Sequence, residues 1–232
     1  SQVELRILAH MSKDPGLLEA FRSGHDIHAA TAAVIYGKPI EEVTKRDRNF
    51  AKRVNFGLIY GMTAYRLARE TDLTLAEAER FVEAYFNGFP NVRGYLEQTI
   101  KQAEQKGYVE TLLGRRRYFP VLEKADKQSQ QRASVVARQR AEREAINMPI
   151  QGTAADIIKI AMVNLHRELR AQGLRGRMIL QVHDELVLEV PEDELDRTAA
   201  LVREVMENAY QLDAPLKVEA NAGPNWFEPS PV

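Results

Sequence analysis

The stretch Arg48 to Gly61, RNFAKRVNFGLIYG, reads as one amphipathic helix whose chemistry changes along a single face. Arg48, Lys52, Phe56 and Tyr60 recur every four residues, which keeps their side chains on one side of a helix with a slow drift. Two cations are followed by two aromatics. That order suits a ligand with an anionic tail and a flat head, and a nucleoside triphosphate is such a ligand. A surface helix with a solvated charged end and a core-facing apolar end would give part of the same pattern. Against that reading, Gly57 and Gly61 flank the aromatics although each costs a helix about 1 kcal/mol relative to Ala, and Asn55 is a further weak helix former. Small residues beside large rings let another surface approach, and Gly61 also suits a helix end.

Arg48, three residues, Lys52, three residues, then Phe56-Gly57-Leu58-Ile59-Tyr60-Gly61 resembles the nucleotide-binding fingers helix of the family A DNA polymerases, the bacterial DNA polymerase I group. Two further motifs are similar to the same family. The first is Ser1-Gln2-Val3-Glu4-Leu5-Arg6, and the second is the HDE run His183-Asp184-Glu185 inside QVHDELVLEV, so the resemblance extends over almost the whole chain. In the family an Asp-Tyr pair precedes the first motif, and that Asp is one of two metal-binding carboxylates. The sequence opens at Ser1 without it and without an initiating Met, so a cut or split polymerase is expected.

The composition fits a folded enzyme. At 232 residues and 44% hydrophobic content the chain has material for one large or two small cores. It has no cysteine, which rules out disulfides and thiolate metal sites and suits a reducing compartment. No apolar run approaches the ~20 residues of a membrane span, so a soluble chain is expected, and the resemblance implies a cytoplasmic, nucleoid-associated bacterial protein. The net charge of −1 hides a gradient: residues 1–113 balance to 0, residues 114–143 to +6 and residues 144–232 to −7. A basic centre beside an acidic last third suits a protein that holds a polyanion in one place and cations in another. Taken singly, either segment also reads as a solvated face.

Along the chain, Leu5, Ile7, Leu8 and Met11 suggest a first helix, and residues 15 to 47 read as short helices broken at Gly24 and at Gly37-Lys38-Pro39. Thr74 with Glu77 makes a capping box that opens a helix through Phe86, and Pro90 precedes another from Val92 to Lys106. Residues 107 to 111 look like a short strand. Arg115, Arg116 and Arg117, followed by Tyr118 and Phe119, suit single-stranded template through phosphate contact and stacking, and a solvated basic turn reads equally well. From roughly Arg132 to Arg170 one long helix, or two helices joined near Pro149, is expected, with a break or kink at that proline. Arg143, Asn147 and Gln151 lie at four-residue spacing on it, three hydrogen-bonding groups able to test pair shape in a minor groove. Residues 177 to 190 form two alternating strands meeting in a tight turn at Asp184, which holds two acids where a cation would relieve their repulsion. A helix from Glu192 to Tyr210 with a buried stripe of Leu195, Ala199, Val202, Val205 and Met206 follows, then a strand from Leu216 to Ala220 and a Pro-rich tail.

The resemblance implies an α+β fold: an antiparallel palm sheet with packed helices, formed by residues 1–25 and 146–232, and a mostly helical fingers insertion over 26–145. It implies template-directed transfer of deoxynucleotides to a primer 3′-hydroxyl, with two Mg²⁺ ions, replaceable by Mn²⁺, held by Asp184 and more weakly by Glu185. Arg48 would bind the terminal phosphate, Lys52 would neutralise or protonate the leaving group, Phe56 would pack on the nucleotide and disfavour dideoxynucleotides, and Tyr60 would stack near the template base. Glu4 would pair with Tyr60 and exclude a ribose 2′-hydroxyl, with Gln2 and His28 near the nucleotide. Arg143, Asn147, Gln151, His183, Tyr60, Arg115 and Arg116 would meet primer–template DNA. His28 also reads simply as a capping or buried histidine. With the Asp absent, the chain is expected to extend primers only when a second polypeptide supplies the Asp-Tyr strand and thumb. The competing reading is a non-catalytic fragment that binds nucleotide and nucleic acid without turnover.

Overall fold

The structure, a computed structural model, describes residues 2–71, 73–123 and 134–232, so Ser1 and the expected helix start at Arg132 lie outside the described residues. Its helices begin where the sequence supplies caps. Asp14 caps α2 (Pro15–Arg22) with Pro at the first position, and Asp26 caps α3 (Ile27–Tyr36), after α1 (Val3–Ser12). Thr44 and Asp47 make a capping box on α4 (Lys45–Ile59), and Asp47 also pairs with Lys38 at 2.5 Å. The expected box of Thr74 and Glu77 opens α6 (Leu75–Gly88), which follows the short α5 (Ala64–Arg69). Pro90 starts α7 (Pro90–Lys106), and Gly107, in the left-handed region, ends it.

One core gathers α1 to α4, α6, α7 and the first half of α8 (Val135–Ala171), with Leu5, Ile7, Leu8, Ile27, Val54, Tyr85 and Ile150 almost fully buried. Smaller clusters sit on either side. Val109, Phe119 and Leu122 pack between α7 and α8 under a hairpin of β1 (Tyr108–Glu110) and β2 (Arg116–Tyr118). Leu165, Leu169 and Leu201 join α8 to α9 (Leu195–Glu207) beneath β3 (Arg177–Val182) and β4 (Glu185–Glu189). Sheet structure among the described residues is three separate antiparallel ladders, the third between β5 (Asn221–Ala222) and β6 (Ser230–Pro231). Packed helices with small antiparallel sheets make the fold α+β.

Four local expectations are corrected. Pro149 neither ends nor interrupts α8, which runs through it for 37 residues. A proline inside a helix costs about 3 kcal/mol, and here Ala145, Ile146, Pro149 and Ile150 are buried together, so packing on both sides outweighs the lost hydrogen bond. Leu216 to Ala220 has strand-like alternation but is irregular: the Val218 amide donates to the Glu207 side chain at 2.9 Å, and the Ala220 carbonyl accepts from the Val232 amide at 3.1 Å where the β5–β6 ladder begins. The Pro-rich end is not plain tail, since Ser230–Pro231 pairs back on Asn221–Ala222. The helix expected from Glu192 begins as a 3-10 turn and is α-helical only from Leu195. In α9 the deeply buried residues are Thr198, Ala199 and Leu201, while Leu195, Val202 and Met206 border an open cleft of about 1450 Å³. Ile179 and Leu180 of β3 face the same cleft, 60% and 45% exposed, where a register shift between Met178 and Leu180 turns both side chains from the core.

Candidate active site

The expected ligand face of α4 is present and accessible. Lys52 is exposed, Arg48, Phe56 and Tyr60 are half-buried, and the opposite face of the helix, with Phe50, Val54, Leu58 and Ile59, is in the core. A second pocket of about 370 Å³ opens between this face and the following turn, bordered by Lys52, Phe56, Tyr60, Met62 and Arg66. The glycines explain themselves here. Gly61 has φ +67°, and a Cβ on it would come within 3.0 Å of Arg143; a Cβ on Gly57 would meet Met62 Sδ at 2.6 Å. Thus the chain reverses tightly after Tyr60 and brings the end of α4 against α8.

At that junction several predicted residues meet. The Tyr60 hydroxyl donates to the Glu4 carboxylate of α1 and also meets the Gln151 side chain. Burial, then the hydrogen bond and charge of Glu4, push the Tyr60 hydroxyl up to about 12, so it stays protonated and remains a donor. Asn147, with its amide group turned toward the carbonyls that surround it, donates to Ile59 O at 3.0 Å and Arg143 O at 3.2 Å. Glu4, Tyr60, Arg143, Asn147 and Gln151 therefore form one connected patch where α1, α4 and α8 converge.

Behind the ligand face, His28 is buried among α3 and α4, 3% exposed. Its Nδ1 accepts from Asn55 Nδ2 at 3.1 Å, Asn55 and Thr31 exchange contacts at 3.0 and 3.1 Å, and the imidazole lies 5.8 Å from the Phe56 ring. Burial, with the nearby Arg48 and Lys52 charges, lowers its pKa to about 4 against the pull of Asp26. The imidazole is neutral in the folded state, so both the buried-histidine reading and a place beside the ligand face describe it. The unfolded chain takes up a proton near pH 6.5 that the folded chain refuses until about pH 4, so stability is lost as pH falls through that window. Thermal melts between pH 7 and pH 4 are expected to show His28→Gln losing about 3 kcal/mol less than the parent across this range. Parallel pH curves would remove this account of His28.

The carboxylates of the second motif sit on the β3–β4 turn. Val182 pairs with Glu185, leaving His183 and Asp184 as the two loop residues, and His183 adopts φ +51°, a left-handed conformation in which His is enriched among non-glycine residues. Its carbonyl accepts from Gln181 Nε2 at 2.5 Å, which fixes the loop. Asp184, half-buried, and Glu185, exposed, face the large cleft together with Gln2 and Asp26. Asp26, which borders this cleft, also holds Arg48 of the α4 face, while Lys52, Phe56 and Tyr60 border the α4 pocket.

The basic hairpin differs from a bare cationic surface. Arg115 pairs with the buried Asp156 of α8, through Nε at 2.8 Å and Nη2 at 2.7 Å. Burial of Asp156 works to raise its pKa, but hydrogen bonds from Arg115 and Thr111 prevail and hold it below the usual carboxylate range. Arg116 pairs with Glu110 at 3.1 Å and lies over the Tyr108 ring at 4.4 Å, and Arg117 pairs with Glu144 at 2.5 Å. Each cation is thus held in place by a carboxylate. Two acids that matter to this geometry, Asp26 and Asp156, carried no sequence signal beyond the helix-cap pattern at Asp26, because their partners lie 22 and 41 residues away.

Comparison with known proteins adds the decisive observation. The family model for DNA polymerase family A matches residues 1–228. The chain belongs to the family A DNA polymerases. It is 52% identical over 228 residues to the thermostable DNA polymerase I of Thermus filiformis, covering 98% of this chain and 26% of that protein. It is 51% identical over 233 residues to DNA polymerase I of Chloroflexus aurantiacus, covering 100% of this chain and 24% of the relative. Among solved structures, the POL domain of Pol1 from M. smegmatis in complex with DNA primer-template and dNTP matches with TM-score 0.86 and 47% identity, over 94% of this chain and 37% of that one. The chain spans about a quarter of the length of the curated polymerases it matches. No described helix is long and apolar enough to cross a membrane.

Proposed function

We propose that this chain is the fingers and later palm portion of a bacterial DNA polymerase I and contributes nucleotide binding and primer positioning to template-directed DNA synthesis in the cytoplasm. The observation that carries the reading is the Arg48, Lys52, Phe56 and Tyr60 face of α4 closed at one end by Glu4 and the Asn147–Gln151 stripe. Residues 1–25 and 146–232 would form palm and residues 26–145 fingers. Arg48 and Lys52 take the phosphates of a deoxynucleoside triphosphate, Phe56 packs on it, and Glu4, fixed by Tyr60, occupies the space a 2′-hydroxyl needs. Arg143, Asn147 and Gln151 meet the minor groove of the primer terminus, and His183, Arg115 and Arg116 meet the DNA around it. Because Arg48, Arg115 and Arg116 are ordered by carboxylate partners, their contacts cost less ordering entropy on binding.

Family A polymerases use divalent metal ions, and Mg²⁺, with Mn²⁺ as substitute, is proposed to sit at Asp184 with Glu185 beside it. A hard divalent ion takes about six oxygen ligands. Among the described residues no group of three or more His, Cys, Asp or Glu side chains gathers to hold one, so the residues present do not complete a two-ion site. The missing carboxylate is assigned to the preceding part of the polymerase, either continuous with this chain or supplied by a second one. What this chain itself supplies is positioning and fixed positive charge for in-line phosphoryl transfer.

A second reading, binding without turnover, is favoured by the incomplete donor set. Primer extension with Mg²⁺ and four deoxynucleotides separates the two, using the chain with and without a polypeptide carrying the family's Asp-Tyr strand and thumb. Extension is expected only on complementation and is abolished by Asp184→Asn. Association of the two pieces without extension would establish the binding reading.

A further inference from the structure

We propose that Asp26 is a positioning residue for nucleotide binding: its carboxylate grips the Arg48 guanidinium by one edge and turns the other edge toward the phosphates. The inference rests on the reading of α4 as the nucleotide-binding face. Asp26 Oδ2 accepts from Arg48 Nε at 3.0 Å and from Nη2 at 2.7 Å. A guanidinium has five donors in a rigid planar fork. One oxygen taking Nε–H and one Nη2–H leaves three donors, both of those on Nη1 and the second on Nη2, along the outer edge. That edge presents two parallel N–H groups, the arrangement that two phosphate oxygens accept.

Asp26 is itself fixed. Its other oxygen, Oδ1, accepts the Ala29 amide at 2.9 Å as the N-cap of α3, and the residue has the extended backbone of a cap, φ −66° and ψ 114°. Helix α3 is in turn tied to α4 through the buried His28, Asn55 and Thr31 side chains. Orientation therefore passes from the core through α3 to Asp26 and from Asp26 to Arg48. Burial acts to raise the Asp26 pKa, but the Arg48 and Ala29 hydrogen bonds and the Arg48 charge prevail, so the carboxylate is ionised wherever the protein is folded and functional. Lys52 is one turn further along α4. With no described carboxylate in ion-pair range, it offers the phosphates a mobile charge beside an aimed one.

The two oxygens have separable jobs, which gives the test. Asp26→Ser keeps a capping oxygen for α3 but is too short to hold Arg48. Asp26→Asn has a single oxygen, so keeping the cap turns its amide nitrogen, itself a donor, toward Arg48. Binding of deoxyadenosine triphosphate and of the monophosphate to the whole chain would be measured by calorimetry, with Arg48→Ala and the Asp26→Ser/Arg48→Ala double variant alongside. An unheld arginine must surrender up to about 2 kcal/mol of rotamer entropy on binding. Asp26→Ser is accordingly expected to weaken triphosphate binding about fivefold, the equivalent of about 1 kcal/mol. Asp26→Asn, which offers Arg48 a donor, weakens triphosphate binding at least as much, monophosphate binding is unchanged, and Asp26→Ser has no further effect once Arg48 is gone. Unchanged or tighter triphosphate binding in Asp26→Ser, while Arg48→Ala weakens it, overturns the proposal and leaves the nucleotide face standing; tighter binding would mean that Asp26 competes with phosphate. An equal loss for the monophosphate also overturns it, showing a merely structural cap. If the parent chain binds no triphosphate, or Arg48→Ala and Lys52→Ala both leave binding unchanged, the nucleotide reading fails and this inference with it.

Discussion

Lys52→Ala is expected to lower the rate of nucleotide addition about 100- to 1000-fold in the complemented polymerase, with a much smaller change in the affinity for primer–template. The argument is one of charge that is free to move. Arg48, one turn earlier on α4, is committed to Asp26, whereas Lys52 is exposed and forms no ion pair among the described residues. A four-carbon stem with a compact ammonium can follow charge as it builds on the leaving group, and an ammonium can also give up a proton, which a guanidinium does not do at neutral pH. Single-turnover quench measurements on Lys52→Ala and Lys52→Arg read the two contributions. Lys52→Arg restoring triphosphate affinity but only part of the rate is the expected pattern. Full restoration by arginine would reduce the role to electrostatics, and an unchanged rate in Lys52→Ala would remove the residue from the chemistry.

Asp156→Ala is expected to cost about 3 kcal/mol of stability, because it removes the buried acceptor shared by the Thr111 hydroxyl and the Arg115 guanidinium and leaves the groups around it without their anchor. Asp156 is 5% exposed and accepts from Arg115 and, at 2.9 Å, from Thr111 Oγ1. Thr111 Oγ1 in turn accepts the Leu113 and Arg115 amides at 3.3 and 3.1 Å, while Thr153 Oγ1 accepts the Leu112 amide at 3.1 Å. The loop between β1 and β2 therefore hangs from α8 by this one carboxylate and its neighbour Thr153. Contact is close enough that a Cβ on Gly152 would lie 2.6 Å from the Thr111 methyl. For a chain of this size 3 kcal/mol corresponds to a fall in Tm of about 8 °C, readable by calorimetry. Because Arg115 is half exposed and can swing into water, a loss under 1 kcal/mol would show that the loop keeps its place through Thr153 and packing alone.

What the sequence revealed follows from the range of the interactions involved. The face of α4, the Thr74 capping box and the hairpin at Asp184 are written in residues within a few positions of one another, and all three are present. Asp26 with Arg48, Asn55 with His28 and Thr31, and Asp156 with Arg115 join residues 22 to 41 positions apart, and nothing local marks one member as the partner of the other. Local pattern also misleads where the tertiary context withholds its support. Leu216 to Ala220 alternates like a strand but gives its Val218 amide to the Glu207 side chain, while Pro149 signals a break that burial on both sides overrides. The arginines after Gly114 read correctly as a basic surface, but the sequence could not show that each is held by its own acid.

Helix α8 is a single strut about 55 Å long at 1.5 Å per residue. In its first third it bears Arg143 and braces Arg117 through Glu144, at its middle it bears Asn147, Gln151 and Asp156, and toward its end it seats the Asp184 hairpin through Leu165 and Leu169. Parts fixed to one stiff rod keep their spacing when the rod tilts. Any motion that opens or closes the end of α4 against this helix therefore shifts the distance from α4 to the stripe without altering the distance from the stripe to the acidic turn. The protein thus carries an internal ruler whose two ends are a gripping surface and a pair of carboxylates.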